Sequence, residues 1–185
     1  MTAVYNIYPP AFAVFGGMLA AAGLPIYIFA PTFYAENYGV GLTSIAAVLF
    51  WLRLIDAVQD PVFGWISENI GRERRFWVAF AVIILTGSMA LLFAVPPQTS
   101  PLLWFIISMT GLFSAFSFLT INFYAQGITA AGDLPGGHMQ LAAWRETGAL
   151  IGICLASVAP GLFMIWTGKP MLLFALAFGL SLIHI

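Results

Sequence analysis

The stretch WLRLIDAVQDPVFGWISE, residues 51 to 68, sets Arg53, Asp56 and Asp60 in a run that is otherwise almost wholly apolar. With about 100° of turn per residue, spacings of three and four place all three side chains on one helical face, one above the next. An ionisable group near the bilayer centre costs roughly 2.5–3.5 kcal/mol on insertion scales, so it needs a partner or an aqueous cavity. Arg53 can compensate one carboxylate but hardly both, which leaves the other to carry a proton or to hold a cation. Two carboxylates a turn apart can supply oxygens to a sodium ion with help from neighbouring side chains, or can take up and release a proton. Gln59 lies beside the pair and can add an amide oxygen, while Pro61 and Gly64 loosen the turn below it. The competing reading is a buried salt bridge that fixes helix packing, with the second aspartate simply protonated.

These residues must be positioned by membrane-spanning helices. The 185-residue chain is 62% hydrophobic and 7% charged, with a mean hydropathy of +0.99, the composition of an integral membrane protein. Its six basic residues and net charge of −1 provide no stripe to neutralise phosphates, so nucleic acid is excluded as a partner. Cys154 has no second cysteine to pair with and reads as a small lipid- or core-facing residue. The N-terminal stretch shows neither a basic region nor a cleavage site, so no removable signal peptide is expected. No nucleophile, base and oxyanion donor stand at recognisable spacing, and phosphate-loop and HExxH patterns are missing. Paired aspartates of an intramembrane hydrolase typically sit on two facing helices, whereas these share one. The chain is therefore not expected to be an enzyme, and no cofactor is expected beyond a coupling Na+ or H+.

Polar and Pro/Gly-rich breaks divide the sequence into six spans near Ala11–Ala35, Leu42–Ile66, Phe76–Val95, Leu102–Gln126, Met139–Trp166 and Pro170–Ile185. Alternating ten-residue strands are absent, so helices rather than a barrel are predicted. Arg72, Arg74 and Arg75 cluster between spans two and three, which makes that loop cytoplasmic and puts both ends of this piece inside, with Asp133 and His138 inside and Lys169 outside. Trp51, Trp77, Trp104 and Trp166 fall near proposed span ends. Gly16, Gly17, Gly23 and Pro25 give the first helix small residues for close packing or a gating hinge. Ser114, Ser117, Thr120 and Asn122 line the fourth; Ser117 and Thr120 are within reach of an ion site, against the commoner habit of hydroxyls bonding their own helix. Arg145 and Glu146 point about 100° apart and are not expected to pair with each other. The last span is short, and LSLIHI coincides with a translated sequencing adapter. Residues 1–179 are accordingly expected to form the bundle and 180–185 an adapter-derived tail of what reads as the first part of a longer protein.

The run Arg53-x-x-Asp56-x-x-x-Asp60-Pro61-x-x-Gly64 resembles the second-helix motif of the glycoside–pentoside–hexuronide:cation symporters, the melibiose-permease-like branch of the major facilitator superfamily. FYAENYGVGL (Phe33–Leu42) resembles the family's end of helix one. Gly64-x-x-x-Glu68-Asn69-x-Gly71-Arg72 resembles the superfamily loop between helices two and three, and LAAWRETGALIG (Leu141–Gly152) the family's helix five. The resemblance implies that Asp56 and Asp60 bind the coupling cation, with Gln59 where the family often has asparagine and Thr120 as a further candidate. Arg53 would be a charge partner on the same face and a candidate solute contact, Arg145 would face the central cavity and Tyr124 would take the place of an aromatic that stacks on sugar; Asn122, a polar residue of helix four outside the family's pattern, is a further solute candidate. Glu68, Gly71, Arg72 and Arg75 would form the cytoplasmic gate. One departure matters: sugar-transporting members carry acidic residues on helices one and four, whereas FGGMLAAAGLPIYIF has none and FSFLTINFYAQ offers Thr120 and Asn122 instead. Galactoside recognition is thus not implied.

The fold expected is an all-α membrane protein, the six-helix N-terminal bundle of a twelve-helix major facilitator fold, built as two inverted three-helix repeats. Its implied function is cation-coupled symport of a sugar, glycoside or related small solute by alternating access, in a plasma (inner) membrane with the N-terminus cytoplasmic. The partners are the lipid bilayer, the solute and a C-terminal six-helix half. A carrier of amphipathic or lipid-like solutes, and a structural or assembly protein, are the alternatives.

Overall fold

The computed structural model describes residues 9–132, 137–167 and 170–183. Asp133, Lys169, His184 and Ile185 lie outside the described residues, as do the side chains of Arg72 and Trp166. The first span is one rod in three pieces: α1 (Pro9–Leu24), a wide π turn over Pro25–Phe29, and α2 (Ala30–Tyr38). Then come α3 (Leu42–Asn69), a 3-10 turn over Gly71–Glu73, α4 (Arg74–Phe93), α5 (Pro101–Ala131), α6 (Gly137–Thr167) and α7 (Pro170–Ile183). Among the described residues, five helical rods are long and apolar enough to cross a membrane. The 14 described residues of α7 reach about 21 Å at 1.5 Å each, short of a hydrocarbon core of about 30 Å.

The rods mostly outrun the spans marked by hydropathy because polar residues at their ends still satisfy helical hydrogen bonds. Asn37 continues α2 and donates from Nδ2 to the Phe33 carbonyl at 2.9 Å. The helix stops where Gly39 takes φ 65°, the left-handed conformation that glycine adopts without strain, and Val40 N–H closes back on the Tyr34 carbonyl at 3.2 Å. At the start of α5 the Ser100 hydroxyl accepts from Leu103 N–H at 3.3 Å, with Pro101 just inside. Within α3 the helix runs through Pro61, which has no N–H to give the Ala57 carbonyl one turn earlier.

α5 lies at the centre, packed against α3, α4 and α6, and Phe105, Met109, Leu112 and Leu119 on it are fully buried. Trp104 donates its indole N–H to the Leu91 carbonyl at 2.8 Å, joining the neighbouring ends of α4 and α5. α1 has its main partner in α6, and α3 has its main partner in α5. The first span thus meets the fifth and the second meets the fourth, the exchange that two three-helix repeats require. On α3, Phe50, Trp51, Val58 and Trp65 are exposed and apolar, and on α6 Cys154 lies among exposed Leu150, Ile151 and Leu155. Such faces belong against lipid.

Close packing rather than a hinge explains Gly16 and Gly17. A Cβ on Gly17 would stand 2.7 Å from the Gly148 carbonyl oxygen, and one on Gly16 would stand 3.1 Å from that of Arg145. From the other side, Gly148 and Gly152 press on the backbone of Ala13 and Gly17. Gly23, by contrast, has nothing within 4 Å. Gly17→Ala and Gly148→Ala are therefore expected to destabilise the bundle by about 1–3 kcal/mol each, the usual cost of overpacking. Gly23→Ala should be neutral or slightly stabilising, as for any open helical site; unfolding titrations in mixed micelles read the difference.

Candidate functional site

The face predicted from spacing is present on α3, and α5 answers it. Asp56 is buried, its side chain 10% exposed, while the Arg53 side chain is 61% exposed. Their closest approach, Nη1 to Oδ2, is 3.8 Å, an ion pair without a hydrogen bond. The anchor of Asp56 is Gln59, which donates from Nε2 to Oδ1 at 2.6 Å. A hydrogen bond to a charged group contributes about 1.5–3 kcal/mol, against about 0–1 kcal/mol for a loose exposed ion pair, so Gln59 dominates. The amide nitrogen meets the carboxylate, as an N–H donor must. The Gln59 oxygen accepts from the Ser114 hydroxyl of α5 at 3.2 Å.

Asp60, one turn on, is exposed and accepts a hydrogen bond from the Ser117 hydroxyl. Ser114 and Ser117 are three apart and present their hydroxyls to α3 side by side. Thr120, the next polar residue along that row, does not join them; its hydroxyl donates to the Phe116 carbonyl of its own helix at 2.8 Å. The threonine hydroxyl therefore sits within its own helix, and the serines contact the carboxylate face.

Arg53 is held by rings. Its guanidinium carbon lies 4.9 Å from the centroid of Tyr27 and 5.8 Å from that of Phe113, and the two rings meet edge to face at 5.7 Å. Tyr27 belongs to the π turn of the first span, so three spans converge here. Nothing in the sequence periodicity announced Tyr27; the available signal was Pro25, which disturbs the helix just before it.

Asn122 is buried. Its Oδ1 accepts from the Ser67 hydroxyl of α3 at 2.9 Å, and its Nδ2 donates to the Phe118 carbonyl at 2.9 Å. The amide oxygen thus joins α5 to α3, the nitrogen bonds its own helix, and Asn122 also lines a cavity with Phe12, Phe15 and Phe123. Arg74 caps the same place, donating to the Ser67 carbonyl at 2.9 Å near the end of α3. Glu68, Gly71 and Arg75 are exposed; among the described residues the ion pairs are Arg53 with Asp56 and Arg145 with Glu146.

That second pair corrects the sequence reading. Arg145 donates from Nε and Nη2 to Glu146 Oε1 at 3.0 and 2.6 Å, because the long arginine stem curls back across the angle between adjacent residues. Its guanidinium carbon also lies 4.7 Å from the ring centroid of Tyr124. Arg145 and Tyr124 line a cavity of about 180 Å³ with Phe12, Phe123, His138 and Leu141. A neighbouring cavity of about 190 Å³ is lined by Phe12, Phe15, Leu119 and Phe123 among others.

Removing the Ser67–Asn122 bond is expected to loosen α3 from α5. Ser67→Ala and Asn122→Leu together in a double-mutant cycle should give a coupling of roughly 0.6–1.7 kcal/mol, the range for interhelical hydrogen bonds in membranes, read from unfolding in micelles.

A family described as MFS/sugar transport protein matches the chain over residues 10–184. No solved structure matches it.

Proposed function

The chain belongs to the MFS/sugar transport protein family, and from that membership we propose that it works as part of a cation-coupled symporter of a sugar, glycoside or related small solute, operating by alternating access. The observation that carries the reading is the donor set on facing sides of α3 and α5: two carboxylates a turn apart, one tied to Gln59, which Ser114 holds in turn, the other to Ser117. Oxygen donors of this kind suit a hard monovalent cation or a proton. Pro61 adds to the set by leaving the Ala57 carbonyl without its helical donor.

The coupling follows from charge. Arg53 stands off from Asp56 and does not reach Asp60 in any ion pair, so the face keeps negative charge until a cation arrives. Turning that face from one aqueous side to the other through a low-dielectric passage is costly while the charge is uncompensated. A bound cation removes the cost, and a solute that binds better to the cation-loaded form then favours the loaded transition; the affinity gain is reciprocal. The solute would dock in the cavity between α1, α5 and α6, with the Tyr124 ring as a stacking surface and Arg145 as donor to hydroxyls or a negative group. A second six-helix bundle would complete the passage, and the arginines at 72, 74 and 75 would mark the cytoplasmic side of a plasma membrane with the N-terminus inside. Glu68, Gly71, Arg72 and Arg75 would serve as its gate.

The aromatic lining of the adjoining cavity, Phe12, Phe15 and Phe123, favours a second reading in which the solute is amphipathic or lipid-like. Competition by long-chain amphiphiles rather than glycosides would distinguish it.

Uptake by the full-length carrier, with and without a sodium or proton gradient, tests the main reading. Asp56→Asn and Asp60→Asn should each abolish stimulation by the cation, a loss on the order of 5- to 150-fold, while protein reaches the membrane in normal amount. Uptake indifferent to gradient and substitutions would leave uniport. Loss of folding in both variants would instead favour a structural pair.

A further inference from the structure

We infer that Tyr27 and Phe113 act as an aromatic clamp that holds the Arg53 guanidinium away from Asp56, keeping that carboxylate available to the coupling cation instead of letting a tethered cation neutralise it. The inference rests on the cation-coupling reading above and adds two positioning residues to it.

Arg53 is three residues before Asp56 on the same helix, a spacing from which a guanidinium ordinarily forms a close charge-assisted bond at about 2.7–2.9 Å. Here the approach stops at 3.8 Å although the arginine side chain is 61% exposed. The contacts that account for the stand-off are the two rings, at 4.9 and 5.8 Å from the guanidinium carbon. Both distances fall within the reach of cation–π attraction, about 6 Å, and guanidinium planes are well suited to it. The rings also brace each other edge to face at 5.7 Å and 86°, so neither can turn aside without disturbing its partner.

The position of Tyr27 depends on an irregularity in the first span. A π turn holds one residue more than an α turn and so changes which side chain faces a neighbouring helix; such turns are common at functional sites. Tyr27 is the middle residue of the π turn Pro25–Phe29. Phe113 comes from α5, next to Ser114, whose hydroxyl steadies Gln59. The helix that holds the carboxylate's anchor therefore also holds one jaw of the clamp.

The clamp makes Arg53 a competitor kept at a distance. Arg53 and the coupling cation are alternative positive partners for Asp56, so anything that frees Arg53 weakens cation binding by the amount it strengthens the internal pair.

The test measures the half-saturating cation concentration for uptake by the full-length carrier, by sodium chloride titration at fixed pH and by proton titration without sodium. Tyr27→Leu and Phe113→Leu should each raise it roughly threefold to tenfold, the size that a cation–π contact can support, with maximal rate at saturating cation little changed. Tyr27→Phe keeps the ring and should keep the wild-type value. Adding Arg53→Gln to Tyr27→Leu should bring the half-saturation back, because the freed competitor is gone; a ring that served packing alone would show no such rescue. Arg53→Lys, which leaves both rings in place but stacks poorly, should raise it as the leucine variants do, and it decides the matter if those fail to reach the membrane. Unchanged half-saturation in the clamp variants, or a rise that persists with Arg53→Gln, overturns the clamp alone. Wild-type uptake that ignores both cations overturns the coupling reading and the clamp with it.

Discussion

A carboxylate at membrane depth needs a partner or an aqueous cavity, and the two on α3 are met chiefly by neutral groups rather than by their basic neighbour. Gln59 holds Asp56 and Ser117 meets Asp60, while Arg53 stays 3.8 Å from the nearer one. Neutral dipoles steady an anion without cancelling its charge. That distinction separates a site that can still attract a cation from a salt bridge that has finished its chemistry. A direct Arg53–Asp56 bond would have made the same helix face a packing device.

The supporting packing follows from that requirement. For Ser114 and Ser117 to reach α3, α5 must be pressed against it over several turns, and the buried row Phe105, Met109, Leu112 and Leu119 anchors α5 in the bundle. For Tyr27 to reach Arg53, the first span must be fixed in depth and rotation. Glycines on both sides do this by bringing the backbones of α1 and α6 into contact. Backbone-to-backbone contact leaves little room for sliding, because no side chain can adjust its rotamer to absorb the change. The cavity beside Arg145 lies between that pair of helices and α5.

Helical period and hydropathy were enough to read the six rods and the common face of Arg53, Asp56 and Asp60, since both depend on local spacing. What answers that face was less legible. Ser117 and Thr120 are three apart and look equivalent on a helical wheel, yet only the serine hydroxyl turns to α3; the threonine hydroxyl takes the Phe116 carbonyl. The choice between a neighbouring helix and one's own carbonyl is made by interhelical distance, which sequence spacing does not contain. Asn122, read as a solute candidate, is seen to tie Ser67 across to α5 and to bond its own helix while also lining a cavity, a combination that helical spacing does not reveal. Arg145 and Glu146 looked divergent because Cβ directions were compared, whereas a long guanidinium stem erases such an angle.

The ties between α3 and α5 also limit how the machine can move. They occur at three levels: Ser114 with Gln59, Ser117 with Asp60, and Ser67 with Asn122, the last capped by Arg74 on the Ser67 carbonyl. The first two involve the carboxylates or their anchor, so a cation that takes over carboxylate oxygens changes them directly. The third is a buried bond between neutral side chains about two turns of α3 beyond Asp60, and neither of its partners hydrogen-bonds to a carboxylate. Under the proposed function, a bound cation would rearrange the middle of the α3–α5 contact while the end at Ser67 and Asn122 stays fastened. A pair fastened in that way would pivot about the fastened end rather than separate as a whole, with the largest displacement where α3 meets the π turn of the first span. On the proposed cation-coupled reading, unequal fastening along this one helix pair is what would convert the coordination of a small ion into relative movement of spans.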